Sequence, residues 1–143
     1  MELAWTEQLS VGNAVIDADH KELFGLVSNI DCVTKAKDHF ALPRALKLLN
    51  ACMSRHFLNE ELLAHALDIP FAMHKVAHQN MLTELDLTRH QIEKNSVAAI
   101  YVMEHYAQFL LDWLIEHIAG EDMPMKPVLH NHPYDFKING VCL

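Results

Sequence analysis

Residues 44–67 read RALKLLNACMSRHFLNEELLAHAL, and their apolar side chains recur every three or four positions. This spacing places them on one face of an amphipathic α-helix. The face carries Leu46, Leu49, Met53, His56, Glu60, Leu63 and Leu67. Two of its members are polar, and a buried carboxylate such as Glu60 costs several kcal/mol unless it has a partner. The stretch therefore predicts a core helix in which the polar residues His56 and Glu60 have a functional role.

The same helical period recurs in three further segments. The four helices are predicted over about residues 18–37, 41–66, 70–92 and 96–119. Their connections are short, and no segment alternates with period two for long enough to form a strand. The fold class is therefore all-α, an antiparallel up-down-up-down four-helix bundle.

Short flanking segments complete the predicted organisation. Residues 1–17 lack a sustained helical period and are expected to form an extended N-terminal arm, with Asp17 as the cap of the first helix. Asp19 is expected in the first turn of that helix, where an acid suits the positive end of the helix dipole. Asn95-Ser96 is expected to cap the fourth helix. The bundle domain then covers residues 1–123, arm included, and residues 124–143 form a C-terminal tail.

Composition and charge exclude several classes of protein. The chain has 143 residues, 51% of them hydrophobic, and only four glycines, which argues against disorder and against a turn-dense β sandwich. A net charge of −8 would be repelled by nucleic acid and by anionic membranes. The first residues do not resemble a signal peptide, and three cysteines without a C-x-x-C pair indicate free thiols in a reducing compartment. We therefore expect a cytoplasmic protein with no nucleic-acid partner and no membrane insertion.

Seven polar side chains are expected to meet at one end of the bundle. His56/Glu60 and His74/His78 are i, i+4 pairs, and each pair lies on one helix face. The topology brings the start of the first and third helices to the same end as the later part of the second and the end of the fourth. Gly120 is expected to end the fourth helix in a left-handed conformation, which would let Asp122 fold back. The set is His20, His56, Glu60, His74, His78, His117 and Asp122.

This donor set indicates two metal ions. A lone histidine on an apolar face is usually a neutral core residue bonded to a carbonyl, but five imidazoles and two carboxylates exceed the ligands of one zinc, and calcium and magnesium prefer oxygen. Two octahedral iron ions, bridged by Glu60, Asp122 and an oxo or hydroxo group, use the whole set and leave one position open. The sequence has no Glu-x-x-His motif of the carboxylate-rich di-iron bundles. A nitrogen-rich site favours reversible binding over oxygenation.

These residues resemble the hemerythrin family in its bacterial form, bacteriohemerythrin, over about residues 5–123. The matching motifs are Trp5…Val11-Gly12…Ile16-Asp17…His20, then His56-Phe57-x-x-Glu60-Glu61, then Pro70…His74-x-x-x-His78, then Trp113-Leu114-x-x-His117-Ile118…Asp122. Two non-ligand positions depart from the pattern: Ile69 replaces a frequent tyrosine, and Asp19 replaces glutamine or glutamate.

The resemblance implies a reversible O2-binding protein with a non-haem di-iron centre (Fe2+/Fe3+), for oxygen storage, transport and delivery, or scavenging, and not an enzyme. It implies that the coordinatively full iron is held by three histidines (His74, His78 and His117) and the open one by His20 and His56. Two alternatives stay open: an oxygen or redox sensor for a signalling partner, and a reductase of NO or peroxide. A downstream oxygen-using enzyme or signalling protein is the kind of macromolecular partner expected.

A dry pocket is expected around the open position, because water would promote release of superoxide and leave ferric iron. Trp113 and Leu114 precede His117 by about one turn and should cover the metals. Phe24, Met53 and Phe57 are the other candidate pocket residues, and Leu114 is also implied by the resemblance. A plain core role is the alternative for Phe24 and Met53, and a small core residue is the expectation for Cys52.

Overall fold

A computed structural model describes residues 5–94 and 103–130, apart from the side chain of His130. After a 3-10 turn at Glu7–Leu9, the helices are α1 (Ala14–Lys35), α2 (Ala41–Ala66), α3 (Ala72–Lys94) and α4 (Tyr106–His117). The chain continues through a π-helical turn (Ile118–Asp122), a 3-10 turn (Met123–Met125) and the short helix α5 (Lys126–His130). No strand occurs within the described ranges.

The four long helices form the predicted four-helix bundle. Helix α1 packs against α2 and α4, and α2 also packs against α3. Their buried faces share one apolar core, which includes Phe24, Met53, Leu85 and Leu110. Helices α3 and α4 meet through histidine side chains at one end, so this end of the core is polar. None of the described helices has the length and apolar character needed to cross a membrane.

Helix α1 begins four residues earlier than predicted, and its cap is Asn13. The Asn13 Oδ1 accepts hydrogen bonds from the backbone N–H groups of Val15 and Ile16, both at 3.0 Å. Asp17, the predicted cap, instead accepts from the Ser10 hydroxyl and the Val11 N–H. Asn13 and Asp17 are both residues that can cap a helix. Asn13 is the cap because its side chain accepts from the free N–H groups of the first turn. The predicted arm (residues 1–17) therefore overlaps the first turn of α1.

The end of α4 also differs from the prediction. Gly120 is not in the left-handed region, and the positive-φ glycine among the described residues is Gly12, at φ 78°. The helix widens instead into the π-helical turn, where the Met123 N–H donates to the Ile118 carbonyl five residues before it. In a regular α-helix, Asp122 would lie about 140° around the axis from His117. The extra residue in the turn brings the two onto the same side.

The packed body extends past residue 123. Met125 and Leu129 are buried in a second cluster with Val11, Ile16 and Leu63. The start of the predicted tail (residues 124–143) is therefore helical and packed. Helix α4 begins at Tyr106, after a turn at residues 104–105, so the predicted fourth helix (residues 96–119) is interrupted there. The predicted Asn95-Ser96 cap, residues 96–102 and residues 131–143 lie outside the described residues.

The cysteines correct one expectation. Cys32 is exposed and free, but Cys52 is buried and disulfide-bonded. Cys142 lies outside the described residues. The prediction of three free thiols is therefore wrong at Cys52, and the cysteines do not indicate a reducing compartment.

Candidate metal centre

The structure brings all seven predicted ligand residues together at one end of the bundle. Helix α1 supplies one, α2 and α3 two each, α4 one, and the π-helical turn one. Two overlapping groups each have donor atoms within 4.8 Å of one another. The first group combines Glu60 and Asp122 with His74, His78 and His117, and the second combines the same carboxylates with His20 and His56. All seven residues are buried.

Each shared carboxylate turns one oxygen towards each group. Glu60 Oε1 lies 3.0 Å from His56 Nε2, while its Oε2 lies 3.2 Å from His78 Nε2. Asp122 Oδ2 lies 3.0 Å from His20 Nε2, while its Oδ1 lies 2.8 Å from His74 Nε2. This is the arrangement that bridging carboxylates adopt between two ions. It divides the histidines into one group of three and one group of two.

The three histidines of the larger group converge on one point. His117 Nε2 lies 3.2 Å from His74 Nε2 and 2.9 Å from His78 Nε2. Neighbouring donors around an octahedral ion, each about 2.1 Å from it, are about 3.0 Å apart. His117 therefore lies at the distance from each of the other two imidazoles that neighbouring ligands of one octahedral ion require.

Several of these polar atoms lack hydrogen-bond partners within the described chain. They are both ring nitrogens of His20 and both carboxylate oxygens of Glu60 and Asp122. Atoms of opposite charge approach closely here, but not in hydrogen-bonding directions. Unsatisfied buried carboxylate oxygens cost several kcal/mol each. Cations coordinated at these points satisfy them, and the residues therefore fit a pair of metal ions.

Comparison with known proteins gives a match over most of the chain. Residues 11–129 match the family model described as the hemerythrin HHE cation binding domain. The chain belongs to the hemerythrin family. It is 29% identical over 126 residues to a hemerythrin-like protein of Naegleria gruberi, which covers 87% of this chain and 92% of that protein. It is 26% identical over 121 residues to a bacteriohemerythrin of Pseudomonas aeruginosa, with 84% and 76% covered.

A buried carboxylate outside the predicted set, Asp19, orients one of the candidate ligands. His56 Nδ1 lies 3.0 Å from Asp19 Oδ2, and the Asn59 amide donates to the same oxygen at 3.3 Å. Donation from Nδ1–H leaves the His56 Nε2 lone pair free for a metal. Asp19 was expected in the first turn of α1, where acids interact with the helix dipole. Because α1 starts at Ala14, Asp19 lies in the second turn and is fully buried; its i, i+4 spacing to Leu23 was the signal for this.

Two of the predicted pocket aromatics stack on ligand imidazoles. Phe57 lies parallel to His78, with centroids 3.7 Å apart and planes at 6°. Trp113 lies parallel to His117 at 4.5 Å and 8°. Each ring fixes the orientation of its imidazole and covers one side from water. The other predicted pocket residues, Phe24, Met53 and Leu114, are buried in the same apolar cluster, and their lining of an O2 pocket remains a prediction.

Charge coupling within the site shifts several pKa values. Burial favours neutral His56, but the charge of Glu60 and the bond to Asp19 outweigh it and raise the pKa of His56 to about 10. Burial is likewise outweighed at His74, where Asp122 and Glu60 raise the pKa to about 9. Burial lowers the pKa of His78. The pKa of Glu60 is held well below its usual range, since the charge of His56 overcomes the effect of burial. The negative charges of Glu60 and Asp122 thus favour protons on His56 and His74.

Metal binding should therefore release protons. In the metal-free protein, pKa values of about 10 for His56 and about 9 for His74 keep both imidazoles protonated at pH 7. A metal ligand must be deprotonated, so we expect at least the two protons of His56 and His74 to be released per chain at pH 7, and progressively fewer as the pH rises through 9 to 10. Calorimetric titrations with Zn2+ in buffers of different ionisation enthalpy would measure this number. Binding without proton release would contradict the charge assignment.

Proposed function

We propose that this hemerythrin binds O2 reversibly at a non-haem di-iron centre. The observation that supports the proposal is the unequal division of ligands around two shared carboxylates. Three histidines with one oxygen from each carboxylate would leave fewer free positions on one ion than two histidines with the other two oxygens would leave on the second. Iron accepts both imidazole and carboxylate ligands, and an oxo or hydroxo bridge completes the proposed centre. When bound, the iron pair supplies two electrons that can be shared reversibly with O2.

The protein contributes orientation, charge and exclusion of water. The carboxylates of Glu60 and Asp122 supply two negative charges, so the ligand set is poor in anions for a di-iron site. It therefore stabilises high-valent iron less than a carboxylate-rich site does, which supports binding over oxygenation. Phe57 and Trp113 shield the imidazoles, and the ligands on the smaller side, His20 and His56, are each 1% exposed. A sealed and apolar surrounding would keep water away from the centre.

An oxygenation cycle tests the proposal. Protein loaded anaerobically with Fe2+ is exposed to air and then deoxygenated, and its visible absorption spectrum is recorded at each step. We expect a band that appears with O2, disappears when O2 is removed and returns over several cycles. Immediate and irreversible oxidation would contradict an O2 carrier for storage, delivery or scavenging. Sustained consumption of NO or peroxide with a reductant would support a reductase instead.

Replacing Asp19 by asparagine should slow autoxidation. Asparagine retains an oxygen that can accept from His56 Nδ1–H, but it lacks the negative charge that makes the imidazole a stronger electron donor. A bond to a charged acceptor is worth about 1 kcal/mol more than one to a neutral acceptor, so we expect ferrous iron to be favoured and the autoxidation rate to fall roughly fivefold. The decay of the oxygenated spectrum measures the rate. Unchanged autoxidation in Asp19→Asn, with two iron ions still bound, would show that Asp19 has no electronic role.

A further inference from the structure

We propose that the surface cavity beside His74 is the route by which Fe2+ reaches the metal centre, and that the Glu121 carboxylate attracts the ion to it. The proposal rests on the proposed di-iron function, because it concerns how that site is filled. Seven buried ligands at the end of a closed bundle need a path for a hydrated cation. The route is identified by comparing the exposure of the ligands with the cavities around them.

The ligand shell is more open on the side of the three-histidine group. Glu60 and Asp122 are 0% exposed and His20 is 1% exposed, whereas His74 is 5% and His117 is 6% exposed. His56, which belongs to the group of two histidines, is also 1% exposed. Its Nδ1 lies 3.0 Å from Asp19 Oδ2. A metal ion arriving from solvent therefore meets the α3–α4 side first.

The cavity at this side, which we call the His74 cavity, has a volume of about 300 Å³. His74 lines it together with the loop before α3 and the π-helical turn, including Pro70, Gly120 and Glu121. At about 30 Å³ per water molecule, this space accommodates on the order of ten waters, enough for a cation with its first hydration shell. The ion can then exchange water for the His74 imidazole without unfolding of the bundle.

The lining includes one carboxylate that can attract a cation. Glu121 is exposed and is the single acidic side chain among the residues that line the His74 cavity, and the proton on His74 leaves as the ion binds. A larger cavity of about 580 Å³ lies between α2 and α3, but its lining includes Lys75 and none of the seven ligand residues. The larger cavity thus offers neither a ligand nor an uncompensated carboxylate, since Lys75 pairs with Glu61 at 2.6 Å. Charge and ligand access therefore both favour the smaller cavity.

Two glycines allow a matched test of the route. A Cβ atom added at Gly120 or at Gly25 would meet no heavy atom within 4 Å. The first atom of a side chain therefore fits at both positions without a clash. Gly120 lines the His74 cavity, whereas Gly25 lies on the exposed side of α1. Gly120→Trp should obstruct the cavity, and Gly25→Trp is the control. Glu121→Gln tests the charge without adding bulk, with exposed Glu116→Gln on α4 as its control.

The experiment is stopped-flow loading of the metal-free protein with Co2+, followed by the absorption of the bound ion. We expect Gly120→Trp to slow loading on the order of tenfold. Glu121→Gln should slow it roughly twofold to threefold at low salt, with the difference lost at high salt because the attraction is screened. Both controls should load at the wild-type rate, and all four variants should still bind two ions per chain.

Three results would overturn the proposal. One is wild-type loading rates in both Gly120→Trp and Glu121→Gln. Another is equal slowing in a test variant and its control. The third is a loading rate independent of Co2+ concentration, which would mean that ions enter through transient unfolding. Failure of the wild-type protein to bind any divalent ion would instead overturn the proposed di-iron site itself, so the two failures are distinguishable.

Discussion

Glu60→Gln should reduce iron binding from two ions per chain to one at most. Glu60 is fully buried and turns one oxygen to each group of histidines, 3.0 Å from His56 Nε2 and 3.2 Å from His78 Nε2. Glutamine has the same shape, but its amide nitrogen cannot coordinate as a carboxylate oxygen does, and it removes one of the two negative charges of the set. Substituting a group that only hydrogen-bonds to a metal ligand already costs about 10- to 100-fold in affinity, and loss of a bridging ligand should exceed that. Iron analysis after anaerobic loading and desalting measures the stoichiometry.

The adjacent Glu61 is the matched control for this prediction. It lies on the same helix but pairs with Lys75 at the surface, at 2.6 Å. An exposed pair of this kind contributes about 0–1 kcal/mol, so Glu61→Gln should bind two ions and unfold near the wild-type temperature. If Glu60→Gln also retains two ions of unchanged affinity, Glu60 does not bridge them.

The second large effect is expected when the number of residues in the π-helical turn is changed. Inserting one alanine after Gly120 should remove Asp122 from the site, because each added residue rotates the residues after it by about 100° around the helix axis. Deleting Gly120 should be tolerated better, since it converts the spacing from His117 to Asp122 from i, i+5 to i, i+4, and residues four apart in a regular α-helix share a face. We expect loss of at least one ion in the insertion variant and two retained in the deletion variant. Metal analysis and circular dichroism of both variants measure this.

Gly120→Ala distinguishes the observed π-helical turn from the predicted left-handed conformation of Gly120. Alanine in a left-handed conformation would cost about 1 kcal/mol or more, but Gly120 has no positive φ and space around its Cα. The alanine variant should therefore match the wild type in stability and metal content. Equal damage from the insertion and the deletion, or destabilisation by alanine, would contradict the turn as described.

The bundle and the seven residues at its end were predictable because both depend on periodicity. Apolar side chains every three or four residues define the helices, and i, i+4 pairs such as His56/Glu60 place two donors on one face. Topology then brings the pairs to one end. The bounds of α2, Ala41–Ala66, equal the predicted ones because Pro43 and the break at Asp68 mark both ends.

The start of α1 and the end of α4 were not predictable from periodicity, because at each of them more than one local structure suits the sequence. Asn13 and Asp17 are both good N-caps, and the choice between them depends on contacts with Ser10 and Val11. The π-helical turn has no sequence signature, because its stability comes from placing Asp122 inside the core and not from local propensity. Asp19 was assigned to the helix dipole because the predicted start of α1 was four residues late.

Mössbauer spectroscopy of protein loaded anaerobically with 57Fe2+ tests the central claim most directly. Two ions that share Glu60 and Asp122 but differ in their histidines, three against two, are not equivalent. We therefore expect two ions per chain and two ferrous quadrupole doublets of equal area, of which one changes most when azide is added to the open position. One ion per chain, or a single doublet from equivalent ions, would contradict the asymmetric di-iron centre.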